Sequence, residues 1–138
     1  MKRHFTSTSF VLHPSEDKVL LHWHEKVMAW LPPGGHVEEN ETPVDTAIRE
    51  TFEESGLNIE IIDYDLERKN RHFIDVKEII PPYTILLEKI NDPKNGEHIH
   101  IDMIYFSQAL NPKDLKSGWF WANENELKGN VNLNFNNS

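Results

Sequence analysis

Eight residues at fixed separations, Gly35, Glu41, Arg49, Glu50, Glu53, Glu54, Gly56 and Leu57, constrain this chain more than any other feature. They lie in the stretch GHVEENETPVDTAIRETFEESGL. With each residue type at its ordinary frequency, such a match at a given start has a chance on the order of one in a hundred million, so coincidence explains it poorly. The stretch predicts a helix with both ends marked. Thr42 is a hydroxyl N-cap, Pro43 stands at the first helical position where no N–H is needed, and Asp45 lies near the positive end of the dipole. Gly56 suits a left-handed C-terminal cap. At about 100° per residue, Val44, Ala47, Ile48 and Thr51 fall on one arc and Glu50, Glu53 and Glu54 on another. The first arc is expected to pack, with the Thr51 methyl buried and its hydroxyl bonded back to the preceding turn.

Glu50 and Glu54 are like charges at i, i+4, which costs a bare helix some tenths of a kcal/mol. A cation between the acids makes sense of the arrangement. Carboxylate oxygens without His or Cys nearby in the helix favour Mg²⁺ or Mn²⁺ over zinc. Arg49 is i, i+4 from Glu53 and close enough to orient it. Just ahead, Trp30 to Glu38 reads as a strand end running into a Gly34-Gly35 turn, whose glycines let backbone approach a metal or phosphate.

The pattern resembles the signature of the Nudix hydrolases: Gly, five residues, Glu, seven residues, Arg-Glu, an aliphatic, one residue, Glu-Glu, one residue, Gly, an aliphatic. Thr51 departs from it, standing where the family usually has Ile, Leu or Val. The resemblance implies an α/β (α+β) fold, an α/β/α sandwich around a central mixed β-sheet. It implies hydrolysis of a diphosphate linkage in a nucleoside diphosphate derivative or nucleoside triphosphate, with Mg²⁺ or Mn²⁺ as cofactor. By the same resemblance, Gly34 (through its carbonyl), Glu50, Glu53 and Glu54 hold the metal. Glu41 and Arg49 position these ligands, with Gly35 in support, and the catalytic set is Glu53, Glu50, Glu54 and Arg49. Glu53 is the first choice for general base, with Glu97, Glu124 and Glu126 as remote candidates. The rival reading is a domain that binds a nucleotide or nucleotide-sugar without cleaving it, as a sensor. Retention of all the metal-binding glutamates favours the enzyme. Subfamily markers for ADP-ribose or dinucleoside polyphosphates, a proline or tyrosine some sixteen residues past the signature, are missing from His72-Phe73-Ile74-Asp75.

A length of 138 residues makes one domain, and the absence of cysteine removes disulfides, thiolate catalysis and Cys-type zinc sites. The segment after Met1-Lys2-Arg3-His4 is too polar for a signal peptide, and no stretch could span a membrane, which leaves the cytoplasm as the expected location. A net charge of −9 argues against a grip on nucleic-acid backbones, though not against a phosphorylated small molecule bridged by cations.

The remaining signals are mainly strands: Phe5 to Leu12, Lys18 to His24 after a Pro14–Asp17 turn, Asn58 to Leu66, Tyr83 to Ile90, His98 to Gln108, and Gly118 to Ala122. Asn95-Gly96 predicts a hairpin between the fourth and fifth. Glu67 to Glu78 reads as a loop and Glu124 to Lys128 as a short helical turn. Residues 1–128 form the expected domain. Residues 129–138 are an Asn-rich tail in place of the family's amphipathic C-terminal helix, so the sheet face which that helix covers would need another cover, such as a homodimer partner. His98, His100 and Asp102 alternate along one strand and share a face. They could line a substrate pocket, sit on an exposed sheet face, or hold a transition metal. Arg68, Lys69 and Arg71 could meet a substrate phosphate or simply be solvated, and Trp23, Trp30, Phe73 and Trp121 could stack on a base or belong to core and rim.

Overall fold

The computed structural model describes residues 1–128. The tail and any covering role for it lie outside them. Eight strands form one sheet: β1 (Lys2–Leu12), β2 (Lys18–His24), β3 (Ala29–Leu31), β4 (Gly34–His36), β5 (Ile59–Ile61), β6 (Thr84–Asp92), β7 (Gly96–Ala109) and β8 (Trp119–Asn123), with helices α1 (Pro43–Ser55) and α2 (Glu124–Lys128). The spine is a parallel pairing of β1 with β7, in register from Lys2↔His98 to Leu12↔Gln108. Strands β2 and β4 flank β1, β6 and β5 flank β7, and all these pairings are antiparallel. The sheet is therefore mixed, in an α+β fold, as expected. Among the described residues no helix is long and apolar enough to cross a membrane.

Both predicted ends of α1 form. The Thr42 hydroxyl accepts from the Asp45 N–H at 3.2 Å and the Asp45 carboxylate accepts from the Thr42 N–H at 3.0 Å, a reciprocal capping box. Gly56 adopts φ +86° and its N–H bonds the Phe52 carbonyl at 2.9 Å. The packing face differs from the expected arc. The buried residues are Thr46, Ala47, Thr51 and Ser55, whereas Ile48 is 38% exposed and Phe52 51% exposed. The sheet explains the difference. Ser7, Ser9 and Ser107 are fully buried, and the Ser7 hydroxyl donates to the Pro43 carbonyl at 2.8 Å, so small residues on both sides bring the helix close. Thr51 is fully buried as predicted, but its hydroxyl finds no partner among the described residues. Ser55, not Thr51, bonds back along the helix, its hydroxyl donating to the Thr51 carbonyl at 2.6 Å.

Three further boundaries move. Gly34-Gly35 is not a turn. It lies in β4, paired to Ser7 and Thr8, and neither glycine has positive φ. The strand after α1 is confined to Ile59–Ile61, because Asp63 and Asp65 beyond it bond backbone N–H groups and the arginines of the next loop. β1 starts at Lys2 rather than Phe5, because β7 offers it a partner that far. The β6–β7 hairpin forms where Asn95-Gly96 predicts it, with Gly96 at φ +74°.

The main core lies between α1 and the sheet, built from Val11, Leu20, Ala47, Leu57, Ile59, Ile61, Tyr105, Ala109 and Trp119. Hydrophobic burial of this kind contributes roughly 25 cal/mol per Å² of apolar surface and fixes α1 against β1 and β4. The acidic arc of α1 is thereby held over the glycines of β4.

Candidate active site

Arg49 is the hub of the acidic arc. Its Nε and Nη2 donate to the two oxygens of Glu41 at 2.6 and 2.9 Å, a bidentate pairing. Its Nη1 reaches Glu50 at 2.6 Å and Glu53 at 3.2 Å, while Nη2 also donates to the His36 carbonyl at 3.2 Å. The orienting role expected for Arg49 on Glu53 has its geometry, and the Glu41 pairing that holds Arg49 comes from the loop before the helix. These hydrogen bonds hold the Glu41 carboxyl down at about 2 and raise the pKa of Arg49 further.

Glu54 lies deeper. Its Oε1 accepts the Gly34 N–H at 3.0 Å. Burial, opposed by that hydrogen bond, and then the charges of Glu50 and Glu53 push its pKa up to about 7. Gly34 thus touches the cluster through its N–H. Gly35 serves by lacking a side chain, since a Cβ there would stand 2.5 to 2.8 Å from the Glu50 carboxylate. Glu53 is the most open of the three helix acids, its side chain 57% exposed against 18% for Glu50. The four acids that Arg49 contacts, Glu38, Glu41, Glu50 and Glu53, together with Glu54 leave the cluster short of positive charge. Such a crowd of oxygens is suited to a hard divalent cation.

The remote base candidates have local partners. Glu97 lies 3.7 Å from Lys89, Glu124 pairs with Lys128 at 2.6 Å, and Glu126 accepts the Asn123 N–H at 3.1 Å at the start of α2. An open cavity of about 530 Å³ adjoins the cluster, lined by His4, Phe5, His36, Glu38, Glu41 and Met103 among others. His100 is not among the lining residues; its ring centroid lies 5.1 Å from that of His36, which is. Asp102 shares the predicted face but is buried and accepts hydroxyls from Thr6 at 3.1 Å and Thr8 at 2.8 Å. Arg71 is tied to Asp65 at 2.7 Å and to Glu78 at 2.7 and 2.8 Å, and Arg68 to Asp63 at 2.8 Å and to Glu78. The aromatics split: Trp23, Trp30 and Phe120 pack edge to face, Trp121 donates to the Pro112 carbonyl, and Phe73 is exposed. His4 and His36 were missed in the sequence. The alternation that groups His98 with His100 extends to His4 only once β1 is known to begin at Lys2.

Comparison with known proteins gives the family and the fold. The model of the NUDIX domain matches residues 3–128, and the chain belongs to that family. A probable DHNTP pyrophosphohydrolase of Lactococcus lactis subsp. cremoris is 37% identical over 91 residues, covering 65% of this chain and 46% of that protein. The chain thus spans less than half the length of that curated relative. A solved NUDIX-family hydrolase from Clostridium perfringens is 32% identical with TM-score 0.75, over 93% of this chain and 86% of that one. An Ap4A hydrolase of C. elegans, 20% identical with TM-score 0.61 over 99% of this chain and 98% of its own, shares the fold.

Proposed function

We propose that this chain is a divalent-cation-dependent hydrolase that cleaves a diphosphate linkage in a nucleoside triphosphate or a nucleoside diphosphate derivative by attack of water at phosphorus. The observation that carries the reading is the convergence of Glu50 and Glu53 on one Arg49 nitrogen, with Glu54 on the Gly34 N–H beside them. The similarity to a protein named a pyrophosphohydrolase supports the reaction class.

The residues fit Mg²⁺ or Mn²⁺. Every donor is oxygen, burial and then the neighbouring helix acids raise Glu54, and the bare Gly35 leaves Glu50 its space. Glu50, Glu53, Glu54 and the Gly34 carbonyl would hold the ion, which when bound neutralises diphosphate oxygens and acidifies water. The chain supplies the rest. Glu41 locks Arg49, and Arg49 fixes the carboxylates of Glu50 and Glu53 so that little reorganisation remains at the moment of reaction. Glu53, exposed and held by a single nitrogen, takes the proton from the attacking water. The rest of the substrate occupies the cavity beside Glu41, whose wall includes His36, the neighbour of His100. Asp102 and Arg71, already engaged by their neighbours, shape the surroundings rather than grip the substrate.

The test is phosphate release from a panel of nucleotides, dinucleotides and nucleotide sugars with Mg²⁺ or Mn²⁺, for wild type, Glu53→Gln and Glu54→Gln. Turnover abolished by chelator and by either substitution is the expected result. Binding of panel members by the wild type without turnover would replace the hydrolase with a sensor.

A further inference from the structure

A second group of metal-ligating side chains stands on the sheet face opposite α1. Ser7 faces the helix, so the even-numbered residues of β1 face away from it. The parallel register then brings His4 of β1 beside His100 and His98 of β7. One ring nitrogen from each of these three histidines lies within 4.8 Å of the others. From the same face of β4, the His36 ring approaches His4 and His100 with centroids 5.2 and 5.1 Å away.

The hydrogen-bond accounting points the His98 lone pair inward. His98 is 95% buried, and its Nδ1 lies 3.2 Å from the Gly96 carbonyl. A carbonyl can only accept, so Nδ1 carries the proton and the Nε2 of the neutral ring bears the lone pair. That Nε2 accepts a hydrogen bond from the Nε2–H of His100 at 3.1 Å, and a bound ion would take the place of that proton, which His100 can carry on Nδ1 instead. An N–H···O=C bond on the far nitrogen is the usual way in which a ligating imidazole is oriented. His4 contributes a buried Nδ1 without a partner among the described residues, an unsatisfied polar atom at the edge of the group. Asp102, two residues along the same face of β7, and Glu88, opposite His100 across the β6–β7 ladder, place carboxyl groups nearby.

We infer that His4, His98 and His100, with His36 within reach as a fourth ligand, form a binding site for a borderline divalent transition-metal ion of the Zn²⁺ class, separate from the glutamate cluster. Nitrogen donors select such ions, whereas the oxygen donors of α1 select Mg²⁺ or Mn²⁺. The two donor sets lie on opposite faces of β4, where Gly34 bonds Glu54 and the next-but-one residue, His36, turns its ring toward the histidines. An ion held there would clamp β1 to β7 at the end of their shared register.

The experiment is calorimetric titration of the full chain with Zn²⁺ in saturating Mg²⁺, repeated with Co²⁺ as a visible-absorption probe of nitrogen ligation. Wild type is expected to take up one Zn²⁺ and to give the nitrogen-ligated Co²⁺ spectrum. His98→Ala and His100→Gln, each checked by circular dichroism for an intact fold, should weaken Zn²⁺ at least about tenfold. Glu54→Gln should leave it unchanged. Because His98 is buried, the half-buried His100 provides the variant better able to keep its fold. Absence of stoichiometric Zn²⁺ uptake by folded wild type, or uptake lost with Glu54→Gln and kept in His100→Gln, overturns the inference.

Discussion

Replacing Thr51 by valine should make the protein more stable. Thr51 is fully buried on α1, and its hydroxyl has no partner among the described residues. A hydroxyl withdrawn from water without a hydrogen bond costs about 1–3 kcal/mol. Valine keeps the branched Cβ and its stiff χ1, and its helix propensity is close to that of threonine. The methyl that replaces the hydroxyl is slightly larger, and close packing against the serine-lined sheet returns a few tenths of a kcal/mol of that gain. The net expectation is a stabilisation of about 1–2 kcal/mol, or a rise in Tm of roughly 3–6 °C for a domain of this size. Urea unfolding followed by tryptophan fluorescence reads it directly, with the midpoint rising at constant m. Phosphate release should stay within about twofold, because Thr51 is fully buried against the sheet and its hydroxyl bonds none of the glutamates. Ser55→Ala provides the opposite sign: its hydroxyl donates to the Thr51 carbonyl at 2.6 Å, and removing it should cost about 1 kcal/mol. A loss of 1 kcal/mol or more in Thr51→Val would refute the reasoning, since the hydroxyl would then have a partner such as a water held between helix and sheet.

The other expectations concern the acidic cluster. Gly35→Ala puts a methyl 2.5 to 2.8 Å from the Glu50 carboxylate, and displacement of a ligand by about 1 Å should lower kcat by roughly 10²-fold while circular dichroism stays unchanged. Arg49→Lys cannot reproduce the fork that holds Glu41, Glu50 and Glu53, so steady-state assays should show kcat falling about tenfold or more and a higher Mg²⁺ requirement. Without divalent ions, stability should depend on pH through Glu54. Its folded pKa of about 7 lies above the ordinary 4.5, so the folded state binds the proton more tightly than the unfolded state does. The contribution is fully present below pH 4.5 and is lost as pH rises through about 7. Allowing for the partial exposure of Glu54, it amounts to about 1–2 kcal/mol. Glu54→Gln should flatten this slope in urea titrations at pH 5 and 8, and a slope identical to wild type would remove Glu54 as its source.

What the sequence disclosed about α1 follows from the range of the forces involved. Thr42, Pro43, Asp45 and Gly56 act on groups within a turn of themselves, so their caps can be read without knowing what the helix meets. The i, i+4 spacing likewise forces Arg49 and Glu53 together. The burial of Thr46 and Ser55 in place of Ile48 has no such local cause. Ile48 is apolar and belongs to the arc expected to pack, but the sheet beneath presents Ser7, Ser9 and Ser107 and admits only small side chains at close approach. The edge of the buried stripe is decided by the partner surface, which a helical period cannot show.

The glycines and histidines mark the same division more sharply. Gly34-Gly35 has the composition of a turn and low strand propensity, yet it pairs with β1 because that strand needs a neighbour beyond the end of β2. The site then uses the missing Cβ of Gly35 rather than any unusual φ. His98 and His100 are grouped by alternation within one strand, which sequence can show. Their meeting with His4 and His36 depends on a parallel register between strands at the two ends of the chain and on the short strand beside it. The carboxylate cluster is largely the work of one helix, and its spacing can be read in the sequence. The histidine cluster is the work of three strands, and no spacing encodes it.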